Sequence, residues 1–427
     1  MKKNLKRLKD FRCPAPFREL QIFNNSTSPC CPEWFDQDVL KKEFQDELLE
    51  MYEDKEHFPR QISTHDVSRI TDINNLSKTW NNKFHTNLRE AISEGDYKYC
   101  SMMCPFVNEH SSLPEKEFKN KYINPHTGKN NSLQPFEKKY KYQKLPDQVY
   151  LNFDASCNLK CPSCRINLNT NWDNPDAANI MKSFDNQFSE GVEKIVCTGS
   201  GDPFYSNVFR NWLQTFDSKK YPKLKKLFIV TNGNMLTERM WNSISNVHPF
   251  IEGIEISIDA AEKETYENKV RLNGRWDVLM DNLKFIADIE EPILNCTFSF
   301  VVQDHNVHQM VDFVNMIENI FKSSWIETTI MFRAIQDWRR QTAEWYSDRN
   351  VCVSTHPKYP ILINQLEKLV RRTNEAGYNF VHSNLYHLLE IPISSYEEDI
   401  KQEINLNTFE DRLKDLEKKL DSNNRLI

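Results

Sequence analysis

Cys157-Asn-Leu-Lys-Cys161-Pro-Ser-Cys164 places three thiols within eight residues. Thiolates at that spacing bind soft metals or iron–sulfur clusters. A structural zinc site wants four ligands, usually as two separated pairs. Here neither a histidine nor a fourth cysteine lies close by in the chain. Three thiolates on a 4Fe–4S cluster leave one iron open, and an open coordination position marks a reactive centre rather than a structural one.

Further polar groups follow downstream. Thr198-Gly199-Ser200-Gly201-Asp202-Pro203 sets two glycines beside an acid. Such glycines let backbone carbonyls approach an ammonium group, and Asp202 adds negative charge. Thr231-Asn232-Gly233-Asn234 and Ser257-Ile-Asp259 come next, with Arg271 14 residues beyond Ser257. An arginine fork suits a carboxylate, the alternative being a surface ion pair. Asp259 shapes a strand tip or faces a ligand there. Gln303 and Arg333 stand where a substrate or cofactor can be reached.

These groups need elements to position them. Short apolar runs at Val149–Phe153, Lys194–Thr198, Lys226–Val230, Gly253–Ile258, Cys296–Gln303 and Thr328–Phe332 predict strands. Amphipathic stretches at Asn174–Glu190, Thr237–Ser245, Trp276–Ile289 and His308–Phe321 predict helices between them. Six β–α repeats imply an α/β fold with a parallel sheet, a partial (β/α)6 TIM-like barrel over 148–340. A doubly wound sheet is the alternative, but no G-x-G-x-x-G opens the first helix. The polar and glycine-containing residues follow the strands, which is where a β/α barrel builds its active site. Residues 108–147 read as a linker. Residues 341–427 read as a C-terminal capping segment ending in an amphipathic helix, with Leu406, Phe409, Leu413, Leu416 and Leu420 on one face.

Residues 1–107 form a small cysteine-rich α+β unit. It carries Cys13, Cys30, Cys31, Cys100 and Cys104, an alternating run ending at Phe23, and a helix from Thr79 capped at Gly95. Four of these thiols can ligate a cluster or a zinc ion: Cys13, Cys30, Cys100 and Cys104, with Cys31 as the alternative to Cys30. Cys197 and Cys296 fall within strands and read as small buried hydrophobes. Cys352 lies in a loop that can cap the barrel mouth; a merely buried or exposed cysteine is the plainer reading of it.

Composition narrows the classes. The chain has 427 residues and a net charge of −6, which argues against broad nucleic-acid binding. Only 9 glycines occur, about 2% against a usual ~7%, and six of them lie between 191 and 274. No apolar run approaches a membrane span, and the basic N-terminus lacks an apolar signal region. The expected compartment is the reducing cytoplasm, where disulfides are the poorer use of 11 cysteines.

C-x3-C-x2-C after the first strand of a β/α barrel resembles the radical S-adenosylmethionine (SAM) enzymes. Thr198–Pro203 resembles that family's Gly-Gly-Glu motif, and Thr231-Asn-Gly its T-N-G strand tip. The sequence departs at Ser163, where the family usually has an aromatic residue, and at Asp202, one methylene shorter than Glu. The resemblance implies a 4Fe–4S cluster on Cys157, Cys161 and Cys164 whose open iron chelates SAM. It implies reductive cleavage of SAM to a 5′-deoxyadenosyl radical, which takes a hydrogen atom from substrate; under that chemistry the Cys352 thiol can return a hydrogen atom to a substrate radical. SAM contacts then fall to Gly199, Ser200, Gly201, Asp202, Thr231, Asn232, Ser257, Asp259, Arg271 and Gln303, with Ser257 and Arg271 on its carboxylate and Asp259 either on its ribose hydroxyls or shaping the strand tip.

The N-terminal cysteines resemble SPASM or twitch auxiliary-cluster domains, placed before the barrel instead of after it, and imply one auxiliary 4Fe–4S cluster. Such domains are linked with peptide or protein modification, so a ribosomally made peptide is the first substrate expected. A sugar or sugar nucleotide oxidised or epimerised in polysaccharide assembly is the alternative. An electron donor such as flavodoxin or ferredoxin is implied as partner, with neither nucleic acid nor membrane. From a different class, the chain would be a non-catalytic iron–sulfur electron carrier or partner protein, which would have no use for a SAM pocket.

Overall fold

The computed structural model describes residues 13–51, 63–101, 145–171, 173–197, 200–289, 295–338 and 340–376, with short or single positions at 104, 107, 122–123, 130–131, 381–383, 385 and 388. Eleven strands occur among them: β1 Glu19–Ile22, β2 Thr27–Ser28, β3 Tyr122–Ile123, β4 Asn130–Asn131, β5 Gln148–Leu151, β6 Lys194–Cys197, β7 Lys226–Thr231, β8 Ile251–Ser257, β9 Asn295–Val302, β10 Glu327–Ala334 and β11 Val381–Ser383. The short β3 and β4 pair only with each other. The other nine form one sheet in the order β11-β10-β9-β8-β7-β6-β5-β1-β2. Every neighbouring pair in it is parallel except β1 with β2.

The six strands expected from the apolar runs are β5 to β10. Helices occupy the connections, as a parallel sheet requires. They run over Pro175–Phe188, Asn207–Gln214, Glu238–Ser243, Trp276–Ala287 and Met310–Phe321. Their starts are written in the sequence. Asn174 caps Ala177 N–H at 3.3 Å with Pro175 following it, Ser206 caps Phe209 at 3.2 Å, and Thr237 caps Met240 at 3.2 Å. Ala177, Ile180, Met181, Phe184 and Phe188 make the buried stripe of the first helix.

Side chains alternate along each strand, so the two faces of the sheet differ. Val149, Leu151, Ile195, Cys197, Ile229, Ile254, Cys296, Phe298 and Ile330 join the main apolar core with the helices. Cys197 and Cys296 are thus buried packing residues. Tyr150, Val196 and Phe228 form a separate small cluster. Glu255, Ser257, Ser299 and Arg333 stand at positions that alternate with the core residues of β8, β9 and β10, so a polar face is left for chemistry.

The N-terminal residues build a second apolar core from Phe17, Phe35, Leu40, Phe44, Phe84, Leu88, Ile92, Tyr97 and Tyr99, with Cys30, Cys100 and Cys104 inside it. They also reach into the main sheet. β1 pairs in parallel with β5, Leu20 opposite Val149, and Leu20 and Ile22 join the main core. The helix expected from Thr79 begins at Lys83, because Asn82 takes the cap and accepts His85 N–H at 2.8 Å. It ends at Ser93, with Gly95 at φ +78°. The expected helix around Leu406–Leu420 lies outside the described residues, as does most of 108–144.

Candidate functional site

The loop after β5 carries the thiol triad. Asp154 stiffens it by accepting Ser156 N–H at 3.0 Å and the Ser206 hydroxyl. Cys157 N–H donates to Asn169 O at 2.8 Å. Cys157 and Cys161 are buried and Cys164 is exposed. Each sulfur has a side-chain N–H donor of its own. Asn232 Nδ2 lies 3.8 Å from Cys157 Sγ, Arg271 Nη1 lies 3.4 Å from Cys161 Sγ, and Arg165 Nη2 lies 3.7 Å from Cys164 Sγ. Burial, reinforced by Asp202, pushes the Cys157 thiol up to about 12. Burial also raises Cys161, against the pull of Arg271. Ligation takes the thiolate, so metal loading at these two positions must release protons.

The tips of β6 and β7 close on this loop. Ser200 Oγ donates to Asn152 O at 2.9 Å, and Asp202 N–H donates to Ser156 O at 2.8 Å. A Cβ on Gly201 would stand 2.2 Å from Ser156 O and 2.7 Å from Asp154 O. This glycine therefore serves backbone-to-backbone approach. Gly199 and Thr198 lie outside the described residues. Both Asp202 oxygens are engaged: Oδ1 by Phe204 and Tyr205 N–H at 3.0 and 3.3 Å, Oδ2 by the Thr231 hydroxyl and Asn232 N–H, each at 2.7 Å. Asp202, expected to face an incoming ammonium, thus braces the tips of β6 and β7 in the structure. Asn232 Nδ2 also donates to Asn158 Oδ1 at 2.9 Å, and Gly233 turns the chain at φ +77°.

On β8, Ser257 Oγ meets Ser299 Oγ at 3.0 Å. Asp259, just past the strand, is 1% exposed and lies 2.7 Å from Arg271 Nη2. The sequence separated these two roles; the structure joins them as an ion pair. Gln303 follows β9, is buried, and its Nε2 has no hydrogen-bond partner among the described residues. Arg333 Nη2 pairs with the buried Glu255 at 3.2 Å. Cys352 packs partly buried against the main core, with its thiol pushed up to about 12 by burial. Its loop reaches the tip of β9, where Asp304 N–H donates to Arg349 O at 3.2 Å.

The N-terminal thiols converge. Cys13, Cys30, Cys100 and Cys104 line one small internal cavity. Burial, then the adjacent Cys104, Cys100 and Cys13 thiols, holds Cys30 well above its ordinary range. Cys31 does not line that cavity; it is half-buried nearby, its thiol pushed up to about 12 by burial. Among the described residues, no three His, Cys, Asp or Glu side chains stand close enough to cage a single metal ion. Thiolates are the donors that iron–sulfur clusters take, and each of the two groups supplies at least three of them.

Several residues escaped the sequence reading. Arg165 donates to Ala155 O at 2.8 Å and also to Ser200 O, tying the cysteine loop to the β6 tip. Its position directly after the third cysteine was the available signal, since a cation beside a thiolate stabilises it. Asn273, at φ +71°, donates to Asn158 O at 2.7 Å. Tyr266 accepts Asn234 Nδ2 at 2.7 Å beneath the same turn. A broad cleft bordered by Asp185, Trp212 and Lys219 lies on the outer helices and touches none of the thiols.

A parallel α/β sheet with a thiol triad after one strand and polar strand tips beside it is the architecture of radical SAM domains. Residues 151–317 match the family model of the Radical SAM superfamily, and the chain carries a radical SAM domain over that stretch. The family implies a 4Fe–4S cluster with SAM. A solved structure titled "Structure of TYW1 with a lysine-pyruvate adduct bound" is similar over 52% of this chain and 70% of that chain, at 15% identity and a TM-score of 0.32. No curated protein matches the chain. Among the described residues no helix is long and apolar enough to cross a membrane.

Proposed function

We propose that this protein is a radical SAM enzyme whose reactive 4Fe–4S cluster is held by Cys157, Cys161 and Cys164. When bound, the cluster supplies one electron that cleaves SAM, giving a 5′-deoxyadenosyl radical that abstracts a hydrogen atom from substrate. The chain's own part is to hold, orient and exclude water. Asn232, Arg271 and Arg165 donate to the three sulfurs, and Asp202 braces the two strand tips beside them. Gln303, whose buried amide nitrogen has no partner among the described residues, would contact SAM, and so would Ser200 and Ser257. The observation that carries this reading is the provision of one N–H donor for each sulfur of the triad, within a stretch that matches the superfamily.

The N-terminal unit, in this reading, is a SPASM- or twitch-like domain holding a second 4Fe–4S cluster on Cys13, Cys30, Cys100 and Cys104. Four thiolates leave no open iron there, which suits electron transfer or structure rather than SAM binding. Their convergence on one cavity supports it. With an auxiliary cluster present, a peptide or protein is the substrate class we favour, and a sugar nucleotide is the alternative. Flavodoxin or ferredoxin would serve as reductant.

Anaerobic reconstitution followed by electron paramagnetic resonance tests the assignment. Two clusters correspond to about eight irons per chain, and SAM should alter the signal of one reduced cluster only. A protein that loads iron but shows no spectral response to SAM would contradict the reading.

A further inference from the structure

The resemblance places the Arg271 guanidinium on the SAM carboxylate, yet in the structure both of its terminal nitrogens already face other groups, and only the buried Nε has no hydrogen-bond partner among the described residues. Nη2 lies 2.7 Å from Asp259 Oδ2, and Nη1 lies 3.4 Å from Cys161 Sγ. The side chains of Arg271 and Asp259 are 11% and 1% exposed. Asp259 is itself held in place. Its Oδ1 accepts Val301 N–H at 2.7 Å, and its carbonyl accepts Asn306 Nδ2 at 2.8 Å. Its backbone sits at φ +63°, a region that costs a non-glycine residue free energy and persists only where the surroundings impose it.

The turn that presents Arg271 is docked on the cysteine loop. Lys160 N–H donates to Leu272 O at 2.9 Å, and Asn273 Nδ2 donates to Asn158 O at 2.7 Å. A single π-helical turn, Tyr266–Val270, leads into it; such turns are frequent at functional sites. A Cβ on Gly274 would stand 2.6 Å from the Tyr266 ring, so the turn is also tightly packed from below.

We infer that Asp259 is a positioning residue that aims Arg271 at the Cys161 sulfur, and that Arg271 sets the redox poise of the cluster instead of gripping the SAM carboxylate. The inference rests on the cluster assignment proposed above. An N–H donor and a fixed positive charge beside a ligating thiolate stabilise the more negative, reduced state, and so raise the reduction potential. Asp259 holds the guanidinium by one prong and leaves the other for sulfur, a division that lysine cannot reproduce.

The test compares wild type with Asp259→Asn, Arg271→Met and Arg271→Lys after anaerobic reconstitution. It reads iron per chain, the midpoint potential of the SAM-responsive cluster by EPR redox titration, and SAM affinity by equilibrium binding. The inference predicts more negative potentials in Asp259→Asn and Arg271→Met, partial recovery in Arg271→Lys, and SAM affinity within about threefold of wild type. An unchanged potential together with a tenfold or greater loss of SAM affinity, as expected for a lost carboxylate contact, overturns it. If Arg271→Met loads no iron, the Arg271→Lys and Asp259→Asn potentials decide by the same criterion. A wild-type protein that loads no SAM-responsive cluster would contradict the proposed function itself, a result distinguishable from a missing potential shift.

Discussion

The backbone N–H of Asn232 donates to Asp202 Oδ2 at 2.7 Å, which binds the tip of β7 to the tip of β6. Three further donors hold the same buried carboxylate. Burial raises its pKa, and the hydrogen bonds from Asn232 and Thr231 oppose that. Replacing Asp202 with Ala leaves these donors unsatisfied, at a cost of about 3 kcal/mol. Thermal unfolding should show a clear fall in Tm, with a smaller fall for Asp202→Asn. A Tm within a degree of wild type for Asp202→Ala would remove the bracing role.

Gly201→Ala should damage the site while sparing the fold. Its Cβ would meet Ser156 O at 2.2 Å, and that backbone cannot yield without shifting the cysteine loop. SAM cleavage should fall about tenfold or more, as small displacements of reacting groups do, with the far-ultraviolet circular dichroism unchanged. Wild-type turnover in Gly201→Ala would show that the two loops do not depend on this contact.

The N-terminal thiols separate by position. Cys30 lines the shared cavity and Cys31 does not, so Cys30→Ala should lower iron from about eight to about four per chain while Cys31→Ala leaves it unchanged. The reverse pattern in iron analysis would move the ligand to Cys31.

Much of this arrangement was legible in the chain. The strands β5 to β10 show as apolar runs because a sheet packed under helices buries a whole face of each strand, and capping residues mark the helices between them. The place of β1 was less legible. Its alternating burial reveals which side of Glu19–Ile22 is inside, but says nothing of its partner, and pairing with β5 brings it against a strand more than a hundred residues away. The use of Arg271 was hidden for a related reason. Residue type says that an arginine seeks an anion, while the left-handed backbone of Asp259 decides which anion it meets.

Acid should destabilise the N-terminal core through His85. Burial, reinforced by Arg89, pushes its imidazole down to about 3, below an unfolded value of about 6.5. Its folded pKa is depressed, so the unfolded state takes up the proton first. Stability is then full above pH 6.5 and falls as the pH drops toward 3, by about 2 kcal/mol at pH 5 from this group alone. Chemical denaturation at pH 7 and pH 5 should show that loss in wild type and a smaller one in His85→Leu. Equal losses in both would acquit His85.

The central claim is that the triad Cys157, Cys161 and Cys164 binds the cluster that cleaves SAM. The most direct test is anaerobic reconstitution of the full chain, addition of SAM and dithionite, and quantification of 5′-deoxyadenosine by liquid chromatography. The account predicts product from the wild type and none above background when all three cysteines are replaced by alanine. A fully loaded wild-type protein that forms no 5′-deoxyadenosine, or a triple variant that forms as much as wild type, would contradict it.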